Sequence, residues 1–457
     1  MKKLSLKNYF GYGFGDLANG LTFGMSATFL LAFYTDVLGI TAAAAGTLFL
    51  IARIWDAIND PIMGGIADKA FIKRIKRYKN QGKKAEKFRP YLLKGSWPVI
   101  VAAILMFIAP ESMAMGQKLI WAYATYIAWG MAYTFINIPY GGLAAVMTQD
   151  PTERSKLSVS RGLGGLFGAI IPRIIVPIFL VRFADDQARG YLLVMIVFGI
   201  MTFISYLISY FTVEETVVTK EEKVEKFKIT DSFKVLSKNR PFMAVSIASI
   251  AMLTGMLIQG SMSIYYFREN LNALELMALT GVTAIVPMLL VSGIIPKLVK
   301  KYGVKKTSWV SSLISGILFG ILLFLPSNPW IYLTGTLIAS IFLMIPNMIV
   351  WGMVSDCIDY NQFLSGSRQE GSIYGLYSFV RKLGQAFAGF LAGVGLSIVG
   401  YTAGAETQTA ATLWGIKFLT IGVPAIGMVI AFFAYYFIWN LTPEKQAEVT
   451  AAINNGE

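Results

Sequence analysis

The chain has 457 residues, of which 55% are hydrophobic and only 14% charged, with 40 Lys and Arg, 26 Asp and Glu, and no histidine. That balance excludes an ordinary soluble domain and points to an all-α membrane protein. The net charge of +14 does not call for nucleic acid, because the basic residues gather between apolar stretches instead of forming one binding face.

At roughly 20 apolar residues per crossing, twelve spans are predicted, over 10–36, 41–68, 91–110, 117–148, 157–181, 190–213, 241–268, 274–296, 307–325, 330–356, 372–400 and 412–440. The start MKKLSLK followed by apolar residues mimics a secretory signal. The stretch is too long for one and carries Asp16 and Asn19, so it reads as an uncleaved first helix. With the N-terminus cytoplasmic, 30 of the 40 basic residues fall in inner segments. The positive-inside rule therefore places both termini in the cytoplasm of a multi-pass protein of the cell inner or plasma membrane.

The chain divides by composition. Residues 1–213 form one six-helix bundle, the charged stretch 214–240 reads as a cytoplasmic linker, and 241–457 form a second six-helix bundle with a short cytoplasmic tail. GGIADKAFIKRIKR after the second span and SGIIPKLVKKYGVKK after the eighth both run from a glycine-bearing helix end into a basic turn. INIPYGG in the fourth span and MIPNMIVWG in the tenth set Pro, Asn and Gly mid-span at matching places. Proline removes a donor and exposes backbone acceptors, and paired interruptions of this kind point to a midplane substrate site in a transporter.

The second span carries RIWDAINDPIMG, Arg53 to Gly64. Asp56 and Asp60 are spaced i, i+4 and Arg53 lies three residues before Asp56, so all three share one helix face. A charge at mid-bilayer costs on the order of 2.5–3.5 kcal/mol, which turns that face toward water or other charges. Two carboxylates a turn apart, with Asn59 and Pro61 beside them, gather hard oxygen ligands suited to Na+. The same carboxylates could instead carry protons, or neutralise Lys382 or Arg161.

Arg161, early in the fifth span, is placed to hold a substrate hydroxyl or carboxylate, or to snorkel from the helix end. In the eleventh span Arg381 and Lys382 point about 100° apart. Ser378 and Gln385 flank Lys382, which makes it the cavity candidate. Tyr133 stands one turn before Asn137, an aromatic beside a polar partner as sugar sites commonly have, or one more ring of a lipid-facing or interfacial belt. Asp356 and Asp359 at the inner end of the tenth helix, with Arg154 after the fourth, read as cytoplasmic gate ion pairs or as solvated charges.

These stretches together, YGFGDLANG, FYTDVLG, RIWDAINDPIMG, KFRPYLL, NIPYG and RKLGQA, resemble the glycoside–pentoside–hexuronide:cation symporters of the major facilitator superfamily. The resemblance runs the whole chain in order. It implies twelve transmembrane helices in two six-helix bundles, alternating access, and a Na+, Li+ or H+ site on the second and fourth helices. It implies further that Asp56, Asn59, Asp60 and Thr134 hold the cation, Na+ included if sodium is coupled, with Lys382 nearby, and that Tyr133, Asn137, Arg161 and Ser378 line the sugar pocket.

Where melibiose-carrying members have a Lys-Asp pair on the first helix and an Asp on the fourth, this chain has Asn19, Gly20 and Asn137. The change argues against an α-galactoside and, with Arg161 and Lys382 kept, toward an anion such as a uronic acid. GD-x-AN, AAAAGT, NIPYG and SF-x-RK-x-GQA are most similar to the glucuronide-carrier branch, with pentoside carriers close behind. Asp16 supplies a hydroxyl acceptor there or sits at the entrance.

The expectation is a cation-coupled glycoside symporter acting as a monomer in the lipid bilayer, with no cofactor beyond the co-transported Na+ or H+, and with no nucleic acid partner. A lipid carrier and a non-transporting sugar sensor are the weaker alternatives. Without histidine or a phosphate-cradling glycine loop an enzyme is not expected, and the lone Cys357 precludes an intramolecular disulfide.

Overall fold

In hydrocarbon every backbone polar group must be satisfied within the chain, and long helices do this segment by segment. The computed structural model describes residues 4–79, 86–148, 150–216, 239–365 and 370–455, and these are helical with no strand among them. Most of the predicted linker, 217–238, lies outside the described residues.

Two compact units result, Met1–Lys223 and Val224–Glu457. The first holds α1 (Leu6–Ala32), α2 (Ala42–Lys79), α3 (Arg89–Met106), α4 (Met115–Met147), α5 (Pro151–Arg182) and α6 (Gln187–Thr212). The second holds α7 (Arg240–Tyr265), α8 (Thr280–Phe324), α9 (Pro329–Ser365), α10 (Glu370–Ile398), α11 (Ala410–Lys417), α12 (Val423–Phe433) and α13 (Pro443–Asn455).

Eight helical stretches are long and apolar enough to cross a membrane, and one of them, Leu274–Phe324, contains both the eighth and ninth predicted spans. They form α8, whose two halves meet at Gly303 with φ 76° and ψ 162°, outside helical space. The more polar α2, α3 and α10, which carry the second, third and eleventh spans, complete the twelve. Helix α2 runs past its predicted end to Lys79, through residue types that helices accept.

The first unit is drawn together by glycine. A Cβ on Gly168 of α5 would lie 2.6 Å from the Gly20 Cα of α1, and one on Gly164 would lie 1.9 Å from the Gly13 carbonyl oxygen. The two helices thus meet backbone to backbone, the contact that small residues permit in membranes. The entry to α3 is held differently: the Glu215 carboxylate, at the end of α6, accepts the amides of Lys87, Phe88 and Arg89 at 2.7 Å each. A carboxylate there satisfies orphan donors at a helix N-terminus.

The two units repeat one local device. Helix α1 runs into a π-turn, Phe33–Val37, and α7 into another, Tyr266–Asn270. Two residues beyond each turn the backbone becomes left-handed, at Gly39 (φ 78°) and Asn272 (φ 48°). The closing hydrogen bonds match as well, Leu38 to Phe33 and Leu271 to Tyr266.

Candidate cation and sugar site

The charged face of α2 forms as its spacing requires. Arg53 Nη1 donates to Asp56 Oδ2 at 3.0 Å, an i, i+3 pair whose side chains are 14% and 13% exposed. One turn on, Thr134 Oγ1 of α4 donates to Asp60 Oδ1 at 3.1 Å. Asn59 lies between them at 4% exposure, and its Nδ2 has no hydrogen-bond partner. Amide oxygen and nitrogen are isosteric, so a turned Asn59 amide would aim a carbonyl oxygen into the same place. Gly130 of α4 makes room for this face, since a Cβ there would lie 2.9 Å from Asp56 Oδ1. Two carboxylates, a hydroxyl and an amide are hard oxygen ligands suited to a small monovalent cation or, through the carboxylates, to a proton.

A second cluster joins α1, α4, α5 and α6. The glycine contact of α1 with α5 brings Asp16 Oδ2 to 3.5 Å from Arg161 Nε. Asn19, 2% exposed, turns its Nδ2 toward Asp16 Oδ1 and Asn137 Oδ1, each at 3.4 Å. The orientation of that amide is set from behind, where the Tyr206 hydroxyl of α6 donates to Asn19 Oδ1 at 2.7 Å. Arg161 also lies 5.3 Å over the Tyr140 ring, and Tyr140 stacks on Tyr12 and donates to its carbonyl. A guanidinium carries five N–H donors in a fixed fork. One carboxylate cannot engage them all, and the Arg161 side chain is 38% exposed.

The two clusters share an aromatic wall. Phe23 of α1 lies 5.4 Å beneath the Arg53 guanidinium and 6.1 Å from the Tyr133 ring, which in turn stands 5.3 Å from Trp129. Phe23 and Tyr206 did not emerge from the sequence, and Tyr140 did so only as part of the NIPYG motif, with no role attached to it. Each stands among several aromatics in its helix, with no local spacing to single it out, and only contacts with other helices give it a role.

The remaining predicted residues have local surroundings of their own. Arg154 is exposed, its Nε donating to the Thr148 carbonyl at 3.0 Å within the first unit. In the second unit Asp356 accepts from Gln446 Nε2 of α13 at 2.9 Å, and Asp359 is half-buried one turn on. Ser378 is exposed and Lys382 half-buried on α10, while the neighbouring Arg381 lies 5.4 Å over the Trp351 ring. Arg161 meets a carboxylate of α1, Asp16.

A family model described as MFS/sugar transport protein matches residues 11–442. A Bacillus subtilis protein named uncharacterized symporter YjmB is 39% identical over 98% of this chain and 95% of its own length. The Escherichia coli protein named glucuronide carrier protein homolog is 32% identical over 99% of this chain and 96% of its own. The crystal structure of the nucleoside transporter NupG is similar in fold, with a TM-score of 0.66 and 14% identity over 96% of this chain and all of that one.

Proposed function

Because the chain belongs to the MFS family of sugar transport proteins, which makes it a multi-pass membrane transporter and not an enzyme, we propose that it is a secondary active symporter coupling a monovalent cation, Na+ or H+, to uptake of a glycoside. The substrate class is a hexuronide, a glucuronide above all, and both termini lie on the cytoplasmic side. Asp56, Asn59, Asp60 and Thr134 take the cation. Arg161 and Asn137 receive the sugar's carboxylate and hydroxyls, Tyr133 offers a ring for its apolar face, and Asn19 holds Asn137 in place. From the second unit Ser378 and Lys382 serve the sugar, and Arg154, Asp356 and Asp359 serve gating.

The observation that carries this reading is the wall shared by the two clusters: Phe23 touches both Arg53, the partner of Asp56, and Tyr133. Filling the α2 site changes the charge balance around Asp56, which Arg53 and Phe23 relay toward Tyr133. Coupling of this kind is reciprocal, so each ligand tightens the other. Two relatives support symport and an anionic sugar by name, the YjmB symporter and the glucuronide carrier homolog. Within the site, amides at Asn19 and Asn137 add no negative charge, and Asp16 is already paired with Arg161.

Counterflow in proteoliposomes tests the proposal, with a panel of glucuronides, xylosides and galactosides in Na+ buffer and in buffer where protons are the only coupling ion. The expected result is cation-stimulated exchange that is fastest for a glucuronide. Absence of cation-stimulated exchange for every glycoside would sink the proposal, and a xyloside preference would overturn its substrate class.

A further inference from the structure

The basic turn between the halves of α8 has no part in the transport site. Lys300, Lys301, Lys305 and Lys306 line a cleft of about 1050 Å³ whose other wall includes Gln446, Ala447 and Ala451 of α13. No aspartate or glutamate lines it, and among the described residues none of the four lysines makes an ion pair. Four ammonium groups around one cleft repel each other unless an anion lies among them.

The cleft is built, not an accident of loose loops. Gly303 takes its left-handed turn at the base, where its carbonyl accepts the Thr307 hydroxyl at 2.8 Å. Tyr302 gathers two of the charges, with Lys301 Nζ 5.1 Å and Lys306 Nζ 5.5 Å from its ring centroid. The far wall is fixed by the bond from Gln446 to Asp356 and by Lys445 over the Phe363 ring at 5.0 Å.

Its floor leads to lipid. Trp309 lines the cleft and packs edge-on to Tyr436 at 5.3 Å. Beside Tyr436, Phe433 and Phe437 are 51% and 62% exposed, an apolar surface that in a transmembrane helix faces acyl chains. Trp and Tyr at this level are the residues that settle at headgroup depth, and clustered lysines there attract anionic lipid.

We infer that this cleft is a binding site for the headgroup of an anionic phospholipid, with the phosphate among Lys300, Lys301, Lys305 and Lys306 and the acyl chains along Trp309, Tyr436 and Phe437. The occupant is a lipid and not a soluble phosphate because the charged walls open onto an exposed aromatic surface that a small hydrophilic anion would not use.

Native mass spectrometry of the full chain released from nanodiscs of equal phosphatidylcholine and phosphatidylglycerol tests the site. Wild type is expected to retain phosphatidylglycerol at least about five-fold over phosphatidylcholine. The variant K301Q/K305Q/K306Q should bring that ratio to parity, while K7Q/K73Q/K118Q, which removes as many charges elsewhere, keeps it. Should the cleft variant not fold, acetylation of wild type gives the same answer: Lys301, Lys305 and Lys306 should be protected by phosphatidylglycerol more than Lys7 and Lys73 are. Equal retention of the two lipids, equal loss in both triple variants, uniform acetylation, or displacement of the lipid by soluble glycerol phosphate would each overturn the inference.

Discussion

The Arg53–Asp56 pair and the Asp16–Arg161 pair set a guanidinium against a carboxylate within the same six-helix unit, and they are built in opposite ways. The first closes within one turn of α2 at 3.0 Å, with side chains 14% and 13% exposed. The second joins residues 145 positions apart, at 3.5 Å, with side chains 38% and 20% exposed. A pair made by one helix forms wherever that helix forms. A pair made by two helices depends on whatever holds them together, here the contact of Gly20 with Gly168. The first is suited to holding charge next to the proposed cation site. The looser second pair leaves guanidinium donors for an incoming ligand.

The largest expected effect comes from breaking the inter-helix contact itself. In Gly168→Leu a side chain is driven into the α1 backbone, which should cost about 3 kcal/mol or more. The Asp16–Arg161 pair should be lost together with the packing that makes it, leaving little monodisperse protein on size-exclusion chromatography. Gly162→Ala, where a Cβ meets nothing within 4 Å, is the matched control and should behave as wild type.

Next in size is the cation face. Asp60→Cys removes a charged acceptor of the Thr134 hydroxyl, a bond of about 1.5–3 kcal/mol, so cation-driven accumulation should fall roughly ten- to hundred-fold. Asp56→Cys should act similarly and leave Arg53 without its carboxylate partner. If both variants accumulate sugar normally, the coupling role of this face is wrong.

Double-mutant cycles then weigh the two pairs directly. Arg53→Gln with Asp56→Asn should show a coupling energy of about 2 kcal/mol. Arg161→Gln with Asp16→Asn should show about 0.5 kcal/mol, because solvent screens the more exposed pair. Thermal unfolding in detergent measures both, and equal couplings would erase the distinction drawn here.

The smallest effect probes the amide network. Tyr206→Phe removes one neutral hydrogen bond to Asn19, worth about 1 kcal/mol. The half-saturating sugar concentration should rise about five-fold with the cation dependence unchanged. A change in cation dependence instead would place Tyr206 in the other cluster.

Much of this was legible in the chain itself. Hydropathy and the distribution of lysine and arginine determined the membrane-spanning all-α class, since backbone in lipid has so few solutions. The i, i+3 and i, i+4 spacings of Arg53, Asp56 and Asp60 determined that they share a face, because helical geometry is local. The motifs carried the family, which the match over residues 11–442 shows.

What only the tertiary structure decided is which distant residues meet. That Arg161 takes Asp16 as its carboxylate, that Tyr206 orients Asn19, and that Phe23 touches both Arg53 and Tyr133 follow from how α1 seats against α5, α6, α2 and α4. Within the second unit, packing likewise decided that α13 lies across the lysines of α8. Sequence periodicity reports which side of a helix is polar. It is silent on the rotation and depth at which two helices lock, because those are set by shape at glycine contacts and by hydrogen bonds that close only after the helices have packed.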